Sequence, residues 1–501
     1  MGLEHTVASG LEKARLLRED SIEPYPEHTP PRTPIDIVLR SFEAGELNEP
    51  VGVAGRLVAK RAHGKLAFGD VAEGGAKVQL FLREGSADPS AVALFRRLDL
   101  GDWIWAHGPV IRTRTGEVSV DVRDLMLLSK IVRPLPDKWK GLKDHEARYR
   151  QRYLDLMVNP ASRAVFETRA AVLRALRSTL DARGFLEVDT PVLQALYGGA
   201  AARPFTTHHH ALDRMFYLRI ALELHLKRLL VGGMSKVYEI GKCFRNEGMD
   251  RSHNPEFTLL EAYESFSDLD GMMELSEALV RAAAIEATGS ARLPHGDGEI
   301  DLGGPFPRRP MADLIRERTG LDAFESPDDH LVEACAHRGL GEIPPAPSRA
   351  WLIDKLFSLA VEPTLLQPTF VTNHPLDLSP LARVDRSDPR TAARFELFVA
   401  GREVVNAYSE LNDPAEQRRR LEDQRRLGDE GETHPVDDDF LRALEYGMPP
   451  AGGLGLGVDR LVMLLTQQPA IQDVILFPHM RPSSDDSPPH LEVPDDADHT
   501  G

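Results

Sequence analysis

Hydrophobic and polar positions change rhythm several times along this chain. Residues 12–20 are helical in composition and stop at Ser21-Ile22-Glu23-Pro24-Tyr25-Pro26, where two prolines keep the backbone extended. Residues 1–49 therefore read as a helix followed by a loop. From Pro50 to Lys130 the rhythm becomes short alternating runs separated by Gly-containing turns, among them Val51-Gly52-Val53-Ala54-Gly55-Arg56-Leu57-Val58 and Lys77-Val78-Gln79-Leu80-Phe81-Leu82. That pattern predicts a small β-barrel over residues 50–132.

A proline-punctuated connector, residues 133–144, leads into basic, helix-compatible sequence at 145–157 and a long helical pattern at 161–184. Period-two runs dominate residues 234–266 and 395–411, and a helix follows the glycine cluster Gly452–Gly457. Strands interleaved irregularly with helices point to an α+β domain with an antiparallel sheet over residues 145–482. Beyond Arg481 the chain is acidic and proline-rich with few large apolar residues, so residues 483–501 are expected to form a disordered tail.

Composition narrows the function classes. With 501 residues and 42% hydrophobic content the chain can bury more than one core. A formal net charge of -18 argues against a protein that coats nucleic acid non-specifically, while leaving room for a local basic face. Two cysteines, Cys243 and Cys335, support neither a disulfide framework nor a Cys-based zinc site. Neither a secretory signal nor a membrane span is evident, so a cytoplasmic protein is expected.

Three segments carry candidate chemistry. In residues 236–263 two strands joined by a polar loop place Glu239, Cys243 and Arg245 on one face of the first, and Phe257, Leu259, Glu261 and Tyr263 on one face of the second. An arginine on a rigid strand suits a phosphate or carboxylate, and equally a surface ion pair. Period two also groups Asn406, Tyr408 and Glu410; with Glu261 and Tyr263 nearby, two carboxylates and a phenol would accept the N–H bonds of an ammonium group. The competing reading is a solvated sheet face. Glu396 and Glu403 flank a turn and fit either exposed glutamates or a Mg²⁺ site. The run Gly452-Gly453-Leu454-Gly455-Leu456-Gly457-Val458-Asp459-Arg460 permits close backbone approach to a flat ligand, yet lacks the ending of a P-loop. His208-His209-His210 cannot readily converge on one metal ion and reads as a loop near substrate.

Together these segments resemble class II lysyl-tRNA synthetases from about Leu11 to Pro482. Gly184-Phe185-Leu186-Glu187-Val188-Asp189-Thr190-Pro191 resembles the family's motif 1, Phe244-Arg245-Asn246-Glu247 through Glu261 its motif 2, and Gly453 to Arg460 its motif 3. Gly198 to Phe205, His253-Asn254-Pro255-Glu256-Phe257, Ser379-Pro380-Leu381-Ala382 and Asn406 to Pro414 resemble the lysine enzyme rather than its aspartate or asparagine relatives.

The resemblance implies an OB-fold anticodon-binding barrel ahead of a class II catalytic domain, and a homodimer built around motif 1. It implies tRNA(Lys), ATP and L-lysine as partners, with Mg²⁺ as cofactor. Arg245 and Arg460 are the implied catalytic residues. ATP would be held by Arg245, Glu247, His253, Asn254, Phe257, Glu403 and Arg460, and Mg²⁺ by Glu396 and Glu403. Lysine would be held by Gly199, Glu223, Arg245, Glu261, Tyr263, Asn406, Tyr408 and Glu410. Arg56, Arg61, Phe68 and Gln79 would read the anticodon, with Phe68 stacking on a base; ordinary barrel core is the other reading of Phe68. The sequence departs from the commonest family pattern at Tyr408, His210 and Gln472.

Overall fold

A computed structural model describes residues 3–135, 142, 144–427 and 436–482, so the expected tail lies outside the described residues. The chain forms two compact units, residues 1–160 and residues from 161 onward. The short helices His145–Arg150 and Arg152–Val158 group with the first unit.

In the first unit the expected helix spans Leu3–Glu19, and a second helix, Ile35–Glu43, occupies part of the stretch read as loop. The prolines before it disguise a short amphipathic turn whose Ile35 and Val38 are buried. The barrel sheet runs Val110–Arg112, Val118–Asp121, Ala76–Arg83, Leu66–Glu73, Val51–His63, Trp103–Gly108, Asp124–Ser129. Alternate residues Leu57, Val71, Val78, Leu80, Ile104 and Val120 fill its interior.

The long strand Val51–His63 carries a bulge. Leu57 pairs with Val71 but Ala59 with Asp70, leaving Val58 as the extra residue. Arg56 opposite Ala72 and Arg61 opposite Phe68 therefore share the outer face, although their odd separation would otherwise place them on opposite sides.

The second unit is built on an eight-stranded sheet ordered Arg308–Pro310, Thr369–Thr372, Arg394–Val399, Arg402–Ser409, Ala451–Gly457, Glu256–Ser265, Lys236–Phe244, Leu186–Glu187. The central strands are antiparallel, as expected, but the pair at each edge is parallel. Both edge strands are followed by long connections before their neighbours, as parallel pairing requires: helical after Arg308–Pro310, and a small three-stranded sheet with one helix after Leu186–Glu187. Helices Pro160–Ala182, Leu269–Thr288 and Val458–Leu465 bury one face through Val172, Leu176, Leu279, Val280, Leu461 and Val462. A helical insertion over residues 311–360, not read from the sequence, forms a separate core against Val371 and Phe398.

Candidate functional site

The opposite face of this sheet is open and encloses a cavity of 410 Å³. Its walls follow from strand period. Lys236–Phe244 pairs with Glu256–Ser265 in continuous register, from Lys236 opposite Glu264 to Phe244 opposite Glu256, so Phe257, Leu259, Glu261 and Tyr263 all face the cavity. Ala451–Gly457 lies between that strand and Arg402–Ser409, and its Gly453, Gly455 and Gly457 form the floor. A Cβ at Gly453 would collide with Glu410 Oε1 and the Tyr263 ring, so only glycine fits there.

At the deep end, Glu261 is buried. One of its oxygens accepts the Leu222 N–H at 3.0 Å and the other the Tyr263 hydroxyl at 2.8 Å. Burial, with Glu223 nearby, holds its carboxyl up to about 7. Glu223 opens the helix Glu223–Val231 and pairs with Lys227 Nζ at 2.6 Å. Lys227 also lies 2.5 Å from Glu410 Oε2. Burial works against the Lys227 ammonium, but Glu223 and Glu410 outweigh it. Burial lifts Glu410 to about 8 against the pull of Lys227.

The strand ends at Ser409 and Glu410 is not among the residues that line the cavity, but its Oε1 lies over Gly453 beside the Tyr263 ring, on the face that strand period expects, while its Oε2 pairs with a cation of the chain itself. Strand period predicts the face a side chain takes, and not which helix supplies its counter-ion.

At the open end, Arg245 follows directly on its strand with its guanidinium 5.0 Å from the centre of the Phe257 ring and its Nε buried without a partner. Arg460, in the first turn of Val458–Leu465, bonds Glu403 Oε2 at 3.0 Å and lies 3.5 Å from His253 Nε2. His253 Nδ1 is 2.8 Å from Asp250. Glu247 lines the cavity mouth, Gly199 its side, and Asn254 donates to the Glu256 carbonyl at 2.6 Å. Glu396 pairs with Arg394, a residue that sequence reasoning missed although it stands two positions away on the same strand face. Arg394 also donates to Asn406 Oδ1 at 3.1 Å and lies over the Tyr408 ring.

Behind the open end sits a second missed residue. Arg169, on the helix Pro160–Ala182, bonds Asp459 at 2.6 Å and Thr258 Oγ1 at 2.9 Å, while Asp459 also accepts the Thr258 N–H at 2.7 Å. Thr258 adjoins Phe257 and Asp459 adjoins Arg460, so one guanidinium fastens both walls of a flat slot. Spacing along the sequence carries no signal for a contact this distant.

The residues from 144 to 481 match the family model for tRNA synthetases class II (D, K and N). The chain belongs to this family. Residues 51–128 of the synthetase match an OB-fold nucleic acid binding domain. It is 51% identical to the lysine–tRNA ligase of Moorella thermoacetica over 96% of this chain and 98% of that one. Identity to the lysine–tRNA ligase of Pelotomaculum thermopropionicum is 50%, over 94% of each chain. For that of Dehalococcoides mccartyi strain 195 it is 46%, over 96% and 98%.

The remaining expected residues of the synthetase lie elsewhere. In the barrel, Arg61, Phe68 and Phe81 stand side by side across three strands on the outer face, with Asp70 and Gln79 alongside. Phe68 is half-buried, stacked on Phe81 at 5.2 Å, and belongs to that outer face rather than to the core. Arg56 donates to the Gly101 carbonyl at 2.8 Å and lies over Trp103. Gln79 accepts from Ser119 at 3.0 Å. His208, His209 and His210 are exposed and line neither the main cavity nor the small one beside it, contrary to the reading of a loop packed near substrate. Among the described residues no cluster of three or more His, Cys, Asp or Glu side chains is arranged for a metal. Gln472 donates to the Asp250 carbonyl at 2.9 Å, beside His253. No helix among the described residues is long and apolar enough to cross a membrane.

Proposed function

We propose that this synthetase is a lysine–tRNA ligase that activates L-lysine with ATP and transfers it to the terminal ribose of tRNA(Lys). The observation that carries the reading is the deep end of the cavity. Glu223, Glu261 and Glu410 face a single internal ammonium there, so the walls favour a substrate bearing positive charge. A neutral side chain would leave buried carboxylates uncompensated.

The lysine carboxylate attacks the α-phosphorus of ATP, giving lysyl-adenylate and pyrophosphate. The nucleophile is already ionised, so no general base is called for, and the protein contributes in-line positioning and charge neutralisation. Arg245, with its free buried Nε, binds the α-phosphate and the amino-acid carboxylate. Phe257 and Arg460 take the adenine between them, Glu247 and Asn254 border it, and His253 and Arg460 meet the distal phosphates. Glu223 and Gly199 hold the α-amino group; Glu261, Tyr263, Asn406, Tyr408 and Glu410 hold the side chain.

Glu396 and Glu403 fit Mg²⁺. Both line the cavity, and burial together with the charge of Glu403 pushes Glu396 up to about 8, a crowding of carboxylates that a divalent cation relieves. When bound with ATP, Mg²⁺ supplies charge neutralisation at the phosphates. The arginine partners of these carboxylates, Arg394 and Arg460, then become available to substrate oxygens.

On the barrel, Phe68 stacks on an anticodon base while Gln79, Arg61 and Arg56 meet its edge and backbone. Phe68→Ala should raise the KM for tRNA about tenfold and leave ATP–pyrophosphate exchange unaltered. The two sides of motif 1 support a homodimer: Leu186–Glu187 is an edge strand, and Leu186, Val192 and Leu193 are exposed beside it. Sedimentation as a monomer at micromolar concentration would overturn that assembly. Two buried thiols suit the cytoplasm.

ATP–pyrophosphate exchange across the standard amino acids, followed by charging of total tRNA, tests the whole reading. Lysine-dependent exchange with charging is expected. Exchange without charging would point to a protein acceptor for lysine, and no exchange with any amino acid would leave a synthetase fold used for binding alone.

A further inference from the structure

The deep end of the cavity holds an ammonium of the protein's own. Lys227 is fully buried, and its Nζ lies 2.6 Å from Glu223 Oε1 and 2.5 Å from Glu410 Oε2. Burying an ammonium costs several kcal/mol unless it is paired, so the pairing is a requirement of the fold. The two carboxylates it joins come from different elements. Glu223 is the first residue of the helix Glu223–Val231, one turn before Lys227, and Glu410 follows the strand Arg402–Ser409.

Each carboxylate gives one oxygen to Lys227. The second oxygen of Glu410 has no hydrogen-bond partner and sits against Gly453, at the point of the floor where a side chain is missing. Glu223 lines the cavity directly. With Glu223, Glu261 and Glu410 ionised and Lys227 charged, the deep end is balanced by two further positive charges, the number a diamino acid carries.

We propose that Lys227 is a specificity-determining positioning residue: by tying Glu223 to Glu410 it fixes the span between the receptor of the α-ammonium and the receptor of the side-chain ammonium, and so reads the length of the diamino acid. This rests on the lysine-activating reading above. Lys227 touches neither reacting atom; it acts through the two carboxylates, turning the free oxygen of Glu410 towards the substrate.

The test is amino-acid-dependent ATP–pyrophosphate exchange on the full chain with L-lysine and with L-ornithine, which is one methylene shorter. A single methylene is ordinarily worth roughly 10- to 200-fold in discrimination. Lys227→Met and Lys227→Gln should each lower the lysine-to-ornithine ratio of kcat/KM by about tenfold, chiefly through the KM for lysine, with the KM for ATP unchanged. A variant that binds ATP normally and keeps the wild-type ratio would overturn the proposal, as would equal losses for lysine and ATP, which mark a general structural role. Should both neutral variants fail to fold, Lys227→Arg carries the test. Its longer fork displaces Glu410 and should shift the ratio by about threefold or more, and an unchanged ratio refutes the idea. If the unaltered protein shows no lysine-dependent exchange, the underlying reading fails first, before any variant is made.

Discussion

The two ends of the cavity are built on different terms. At the deep end every charged group is buried and sits on or beside a strand or helix: Glu261 and Tyr263 on one strand, Glu223 and Lys227 on one helix, Glu410 over the glycine floor. At the open end the charges are arginines and a histidine on strand ends, a loop and a helix start, partly exposed and paired with carboxylates: Arg394 with Glu396, Arg460 with Glu403 and His253 with Asp250. On the reading proposed above, the deep end is fixed before a substrate arrives and selects by charge and length. The open end carries charge in exchangeable pairs, which suits groups that must settle on phosphates as they move.

If that division holds, substitutions should split cleanly between lysine and ATP. The largest effect belongs to Arg245→Ala, which should lower exchange by about a thousandfold, and near-normal exchange in that variant would dismantle the open end as a phosphate site. Next comes Glu410→Gln, expected to raise the KM for lysine about ten- to a hundredfold while the KM for ATP stays put. An unaltered lysine KM would remove Glu410 from the pocket. Arg169→Ala should do the reverse, raising the KM for ATP about fivefold and sparing lysine, because it loosens both walls of the slot between Phe257 and Arg460, the proposed adenine site, without touching the deep end.

The smallest effect is a pH dependence. Glu261 is held up to about 7 and Glu410 to about 8, above the ordinary carboxylate value, so their ionisation in the empty protein is incomplete near neutrality. A bound ammonium favours the ionised forms. Lysine affinity should therefore rise as pH increases through these values and fall as they protonate, by roughly threefold between pH 8 and pH 6.5 from Glu261 alone. The same raised values cost folding stability as pH climbs above the ordinary carboxylate range, and saturating lysine should offset more of that cost at pH 8 than at pH 6. Calorimetry with lysine, run alongside thermal unfolding, checks both signs; a flat profile would mean that the carboxylates are already fully ionised.

How much of this was legible in the sequence depended on distance along the chain. Period two placed Phe257, Leu259, Glu261 and Tyr263 on one face, and the register of the hairpin bears that out. The same rule placed Asn406 and Tyr408 on the cavity face and extends to Glu410, one residue past the strand's end, whose carboxylate lies over Gly453 on that face. Lys227 stands four residues after Glu223 and was within reach of helical spacing, but an apolar-looking helix gave no reason to look for a buried cation. Arg169 was out of reach altogether, since its partners Thr258 and Asp459 lie 89 and 290 positions downstream. Fold class came through because the barrel's alternation and the mixed domain's irregular order are both local patterns. The parallel edge strands, two and three residues long, are too short to announce themselves.

The bulge at Val58 has a consequence of its own for the barrel. It acts as a parity switch: one inserted residue lets Arg56 and Arg61 stand on the same outer surface across an odd interval. Deleting Val58 would remove the bulge without changing the pairing and leave Arg61 opposite Phe68 on the outer face, whereas a second residue added there would turn the positions beyond it inside out. A one-residue gap at this position would therefore be a milder change to the barrel's outer surface than a one-residue insertion.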